Sequence, residues 1–266
     1  MLLFDAHCHL QDERLHPLLD GVMERAAQAG VAAMMCCGSA ESDWPRVREL
    51  CGRFPQVKAS FGLHPWYAGD RRSTWLATLR GFLSASPSAV GEIGLDHGLD
   101  RGTFEDQESV FLAQLDLACE LNRPVSVHCR QAWGRLPELI DRHGWPEAGL
   151  MFHSFSGPKE LVPALAKRGA WFSFSGSITH TRNVRGRDAL AAVPPDRFLI
   201  ETDAPDIPPA LPPEAFVLKT DTGLPVNEPA HLPCVLEAAA EVRGVLPAVL
   251  ADVIWANARL LWRGMM

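Results

Sequence analysis

Five short apolar runs in this chain close on histidine or on a carboxylate, the side chains that bind divalent cations and move protons. The first, Leu2-Leu3-Phe4, leads into Asp5-Ala6-His7-Cys8-His9. Alternate residues of a strand project to one face, so His7 and His9 set two imidazoles side by side. Such a pair can share a metal, but it also occurs on ordinary surfaces and in cores, and its position matters more than its letters. Val90-Gly91-Glu92-Ile93-Gly94-Leu95-Asp96 sets an acidic residue in a run of small and apolar ones. An unpaired carboxylate is costly there. A cation would offset that cost, and with two oxygens Glu92 could bridge two ions; the competing reading is a carboxylate that caps the following loop by accepting backbone hydrogen bonds. Pro124 to His128 and Leu150 to His153 repeat one design, an apolar strand ending in histidine. A satisfied core histidine explains either one singly, but the repetition favours a shared role. Phe198 to Asp203 ends in two carboxylates one residue apart, with Asp203 expected as ligand and base and Glu201 as a deeper partner.

Nitrogen and oxygen donors without cysteine suit zinc, magnesium or manganese, and a bridging carboxylate is what two ions about 3.5–4 Å apart require. The expected grouping is His7, His9, Glu92 and Asp203 around one ion, and Glu92, His128 and His153 around the other. A binding protein in which metal only stiffens the barrel mouth is the non-enzymatic reading. Structural zinc sites are closed, four-coordinate and cysteine-rich, and this set is none of these.

Side chains so far apart in sequence meet only if the elements carrying them converge. β-branched and apolar runs alternate with longer helical patterns, the signature of repeated βα units. Strands are expected near 2–7, 31–37, 56–62, 88–93, 124–128, 148–153, 169–174 and 197–202. Helices are expected near 17–29, 43–52, 73–85, 104–121, 131–143, 158–167 and 185–192, with Gly30, Gly144 and Gly169 as stops. Eight such units make an α/β TIM-type (β/α)8 barrel, and 266 residues suffice for one, so 1–266 reads as a single domain. All six candidate ligands then fall at carboxyl ends of strands, the face on which barrel active sites collect. The proline-dense stretch from Ala204 to Pro213 supports neither helix nor ladder and reads as a rigid loop at that face. Two extra C-terminal helices, near 230–243 and 246–262, are spaced to pack on the barrel exterior.

The composition is 47% hydrophobic and 21% charged, that of a globular chain. A net charge of −7 argues against a long nucleic-acid footprint. Arg182, Arg185 and Arg187, with Lys167 and Arg168, could steer a phosphate locally, although a solvated face is the plainer reading. Seven cysteines without repeating spacing, and no leader before Leu2, fit the reducing cytoplasm. Cys8, Cys36, Cys37 and Cys129 read as small core residues. No stretch is long and apolar enough to span a bilayer.

Taken in order, the motifs DAHCHL at 5–10, FGLHPW at 61–66, GEIGLD at 91–96, PVSVHCR at 124–130, FHSFSG at 152–157, ETDAP at 201–205 and NEP at 227–229 are specific as a set. Over nearly its whole length the chain resembles the TatD family of metal-dependent deoxyribonucleases, within the amidohydrolase-like barrel hydrolases. The resemblance implies that the six residues are ligands to two divalent ions, that Glu92 bridges them and that Asp203 assists water activation. It implies a role for His64 next to the ligands or facing phosphate, the alternative being a histidine merely held by Pro65. Asp203, Glu92 and His64 are thus the expected catalytic residues, with Glu201, Trp66 and Arg130 behind the ligands or against substrate. Trp66 could stack on a base or simply pack its loop. His97 and Ser154 depart from the family pattern, where an aromatic residue and a cysteine are common. His16, His143, His180 and His231 lie outside the motif positions and read as surface or packing residues. The implied activity is 3′-5′ exonuclease-like phosphodiester hydrolysis of DNA ends or short oligonucleotides, with neither membrane nor obligate protein partner. An amide or ester hydrolase, such as a deacylase acting on aminoacyl-tRNA, is the alternative, because barrel metal sites serve both chemistries.

Overall fold

Runs of consecutive apolar residues form strands buried on both faces, and the amphipathic stretches between them form helices that cover those strands. The computed structural model describes residues 1–98 and 103–265. Eight strands follow in order: β1 (Leu3–Cys8), β2 (Val31–Cys37), β3 (Val57–Phe61), β4 (Ala89–Asp96), β5 (Val125–Arg130), β6 (Leu150–Phe152), β7 (Ala170–Phe174) and β8 (Phe198–Ile200). Each pairs in parallel with the next. Between them lie α1 (Leu19–Gln28), α2 (Trp44–Arg53), α3 (Trp75–Ala85), α4 (Phe104–Glu120), α5 (Leu136–His143), α6 (Val162–Lys167) and α7 (Val184–Ala192). The arrangement is a TIM-type (β/α)8 barrel.

Two helices follow the last strand, α8 (Leu232–Arg243) and α9 (Pro247–Leu261). Leu250, Ala251, Ile254, Ala258 and Leu261 form the buried stripe of α9, which packs on β1 and β8. Asn257 Nδ2 donates to the carbonyls of Pro195 at 2.7 Å and Phe198 at 2.8 Å, tying α9 to the start of β8. One hydrophobic cluster runs from Leu3 to Trp262. Cys8, Cys36, Cys37 and Cys129 are buried free thiols, as expected of small core residues. No helix among the described residues is long and apolar enough to cross a membrane.

The expected elements are all present; among the boundaries that move, two do so for identifiable reasons. The helix expected from 131 starts at Leu136, because Gln131 adopts φ 56° and Pro137 suits a first helical turn. The last strand stops at Ile200: Glu201 N still donates to Phe174 O of β7, but the amides of Thr202 and Asp203 turn to the seam between β8 and β1. There the buried Asp5 carboxylate accepts from Thr202 N at 2.8 Å and from the Thr202 hydroxyl. Asp203 N donates to His7 O at 3.0 Å, and His9 N to Ala204 O at 2.7 Å. Burial pushes the Asp5 carboxyl up to about 7 against the donors that hold it. This seam sets the first histidine motif beside the last acidic one.

Close strand approach makes Gly94 irreplaceable. At φ +151° its Cβ position lies 1.9 Å from the His128 carbonyl oxygen. Gly94→Ala should cost about 3 kcal/mol, roughly 10 °C in melting temperature. Gly81, in α3 with nothing near its Cβ position, should instead gain about 0.5–1 kcal/mol as alanine. Thermal melts of the two variants check both signs.

Candidate metal centre

At the carboxyl end of the barrel the Glu92 carboxylate is almost wholly buried and ringed by imidazoles. His7 and His9 come from β1 and the residue after it, Glu92 from β4 and His128 from β5. His153 follows β6, Asp203 follows β8, and His64 lies in the loop after β3. Glu92 Oε2 lies 3.3 Å from His7 Nε2 and 3.4 Å from His9 Nε2. Oε1 lies 2.7 Å from His153 Nε2, 3.0 Å from His128 Nδ1 and 3.3 Å from His64 Nε2. Asp203 Oδ1 joins the first group, 3.5 Å from His9 Nε2 and 3.9 Å from His7 Nε2. One carboxylate thus turns one oxygen to each of two donor sets. The sets are not sealed from one another: the His7 and His153 rings stack with centroids 4.0 Å apart.

Whether these side chains suit cations depends on which ring nitrogen faces inward. His9 Nδ1 faces the Cys37 carbonyl at 2.8 Å, and His7 Nδ1 faces Ser126 Oγ at 2.9 Å. His128 Nε2 faces Asp96 Oδ2 at 3.2 Å, and His153 Nδ1 lies 3.4 Å from Glu201 Oε1. Behind His7, His9 and His128 an acceptor takes the proton-bearing nitrogen and leaves the inner nitrogen's lone pair for a cation, while His153 Nδ1 lies beside the Glu201 carboxylate without a hydrogen bond. Four neutral imidazoles with Glu92 and Asp203 therefore make a donor set that fits divalent ions. His64 is oriented the other way. Its Nδ1 accepts from Trp66 N at 3.1 Å, and burial pushes its pKa down to about 4, so the neutral ring keeps its proton on Nε2, aimed at Glu92. It is a donor to Glu92.

The charges follow from this packing. Burial alone would raise the Glu92 carboxyl, but His153, His64 and His7 together hold it well below the carboxylate range. Asp203 is lowered against its own burial by the His9 hydrogen bond and the neighbouring imidazoles. Burial works against protonated His9, yet Asp203 and Glu92 raise it to about 9. His153 and His128 are also raised, against burial, by Glu92 with Glu201 and Asp96 respectively. Burial lowers His7.

A shell of further polar groups holds these residues. Glu201 is fully buried, accepts from Ser154 N at 2.6 Å and from the Ser173 hydroxyl, and backs His153, the deeper place expected of it. Asp203 and Ser154 adopt positive φ, 57° and 41°, a conformation that aspartate tolerates better than most residues. Ser154 Oγ pairs with Ser175 Oγ at 2.7 Å. Asp96 received no role from the sequence, although residues 92, 94 and 96 share one face of β4 by their spacing. Its carboxylate takes Trp66 Nε1 at 2.7 Å, Gly98 N at 2.8 Å and His128 Nε2, while Gln107 grips its backbone. Asn227 of the NEP motif was likewise unassigned. Its Nδ2 donates to the carbonyls of Thr202 and Asp206 at 2.8 Å, holding the proline-dense loop against the barrel mouth. His97 stacks on Phe104, His143 meets Asp116, and buried His231 hydrogen-bonds Asn227 at 2.9 Å; like His16 and His180, they lie away from the cluster. A cavity of about 980 Å³ opens over the cluster, with Trp66, Tyr67, Phe155, Arg130 and Arg185 in its walls.

Because His9 is raised to about 9 and His153 well above the usual imidazole range, the bare cluster carries protons at neutral pH that a cation must replace. Cation binding should release protons and tighten as pH rises towards about 9, the value for His9, weakening as pH falls. Titration calorimetry of Zn²⁺ in buffers of different ionisation enthalpy checks this, and a buffer-independent heat at pH 7 would contradict it. Asp96→Ala should weaken cation binding about 10–100-fold, with Asp96→Asn, which keeps an acceptor, falling between.

The chain matches the TatD related DNase family over residues 4–263. It is 33% identical to the 3′-5′ ssDNA/RNA exonuclease TatD of Shigella flexneri, covering 98% of each. It is 31% identical to the uncharacterized metal-dependent hydrolase YabD of Bacillus subtilis, covering 98% of this chain and 99% of that one. Among solved structures it superposes on YJJV, a TATD homolog from Escherichia coli, with a TM-score of 0.88 and 29% identity over 97% of both chains. A TatD family hydrolase from Entamoeba histolytica shares the fold at a TM-score of 0.86 and 18% identity. By sequence over nearly its full length, and by a barrel that carries His7, His9, Glu92, His128, His153 and Asp203 to one mouth, this chain belongs to the TatD-related DNase family.

Proposed function

We propose that this chain is a metal-dependent nuclease that removes nucleotides from the 3′ ends of single-stranded DNA or short oligonucleotides. The observation that carries the reading is the Glu92 carboxylate, shared between two sets of imidazoles, with the outer nitrogens of His7, His9 and His128 already engaged. Two divalent cations, one held by His7, His9, Glu92 and Asp203 and the other by Glu92, His128 and His153, would supply a water that ionises near neutral pH and positive charge for phosphate oxygens. The names of the relatives support a phosphodiester as the bond attacked.

The chain's own residues do the rest. Asp203, held ionised by His9 and its neighbours, accepts the proton of the attacking water. His64 donates to Glu92 and keeps its carboxylate turned to both donor sets. Trp66, anchored through its indole nitrogen to Asp96, offers an aromatic wall for a base. A pocket for one terminal nucleotide suits a chain of net charge −7, because it needs no long cationic track. The free thiols support the reducing cytoplasm as its compartment.

The test is chelated protein given Mg²⁺, Mn²⁺ or Zn²⁺ singly, assayed on 3′-labelled single-stranded DNA beside a panel of esters and amides. Stepwise loss of label from the 3′ end is expected. Hydrolysis of esters or amides alone would make the chain a deacylase-like enzyme instead. Asp203→Asn should lower kcat on the order of 10³-fold while part of the bound metal remains, and full activity in that variant would remove Asp203 from the role of base.

A further inference from the structure

The sequence grouped Arg182, Arg185 and Arg187 as one basic segment, and the fold separates them. Arg187 is mostly buried, with Nη2 2.8 Å from Glu241 and Nη1 donating to the Ile178 carbonyl. Arg182 is exposed and stands outside the cavity walls. Arg185, in the first turn of α7, lines the cavity.

Among the described residues four arginines and no lysine border that cavity, and their states differ. Arg14 is spent on Asp12 and Asp206, through four hydrogen bonds of 2.8–3.0 Å. Arg46 donates to the Gln11 carbonyl at 2.9 Å. Arg130, 49% exposed, comes no nearer than 4.0 Å to Asp96, whose oxygens already serve Trp66, His128 and Gly98. The Arg185 guanidinium makes neither an ion pair nor a hydrogen bond among the described residues. In a chain with 32 acidic residues against 25 basic ones, one guanidinium held only by a 4.0 Å ion pair and one unpaired among the described residues, in one cavity wall, are a directed feature. Arg130 ends β5 and Arg185 begins the helix after β7, so they flank β6 and the His153 that follows it. A planar fork of donors on either side of the cluster suits phosphate oxygens, which arginine binds in pairs.

We propose that Arg130 and Arg185 form a subsite for backbone phosphates adjoining the scissile one, so that the enzyme distinguishes a strand from an isolated phosphodiester. This rests on the nuclease reading above. It predicts that these arginines act on the preference for a longer substrate over a shorter one and on the salt dependence, not on the chemical step.

The experiment compares kcat/KM for a single-stranded ten-nucleotide DNA with that for bis(p-nitrophenyl) phosphate, which has one phosphodiester and no neighbouring phosphate. In Arg185→Ala the ratio of the two should fall about tenfold, with a larger fall in Arg185→Glu and partial recovery in Arg185→Lys. The slope of log kcat/KM for the ten-nucleotide DNA against log salt should become shallower by about 0.7 for each phosphate that is no longer neutralised. Arg130→Ala should lower the same ratio. Arg182→Ala, exposed and outside the cavity, is the control that keeps the wild-type ratio. An unchanged ratio in Arg185→Ala, or an equal fall on both substrates, overturns the subsite while the wild-type nuclease activity stands. Failure of the wild-type protein to cleave either phosphodiester with any of the three cations overturns the nuclease reading and the subsite with it.

Discussion

A carboxylate buried in the middle of a barrel mouth is the constraint to which the rest of the structure answers. Glu92 is almost wholly shielded from solvent, and a lone ionised carboxylate in such a place would cost several kcal/mol. Five imidazoles from four separate stretches of chain meet its two oxygens within 3.4 Å. The raised pKa values among them express the same need in protons that a pair of cations would meet in metal charge. Centre and fold are therefore one problem: strands must end at a common level, and each ring must be held from behind so that its inner nitrogen stays pointed at Glu92.

The groups behind the rings come from elements distant in sequence. Ser126 stands behind His7 across 119 residues, Asp96 behind His128 across 32, and Glu201 behind His153. The seam between β8 and β1 performs the same service for the whole barrel. Asp5 takes the place of a backbone partner for Thr202, and the β8 ladder gives way to a turn in which Asp203 adopts positive φ and reaches His9. A strand continued regularly through residue 203 would have put that carboxylate elsewhere.

Electrostatics at the cavity are local and oppose the net charge of the chain. The surface as a whole repels a polyanion, while among the described residues the mouth leaves Arg185 unpaired, holds Arg130 only by a 4.0 Å ion pair and engages Arg14 and Arg46. This pattern suits a short strand end that enters one cavity and is read there by a few side chains, with bulk charge discouraging extended binding.

Much of this was legible in the residues alone. The alternation of apolar and amphipathic runs determined eight parallel strands and their helices, since period and length are local properties of the chain. The placing of histidine and carboxylate at strand ends determined which six side chains would meet, because a parallel barrel delivers all its strand ends to one mouth. Tertiary structure alone decided which nitrogen of each ring faces inward, why His64 donates to Glu92 while its neighbours turn lone pairs to it, and that Asp96 and Asn227 brace the site. It also decided that Arg185 lines the cavity with no partner among the described residues while Arg187, two residues on, is consumed by Glu241. The physical reason is the same throughout: a side chain's type is written in its own codon, but the state of its protons and the direction of its donors are set by neighbours from other strands and helices.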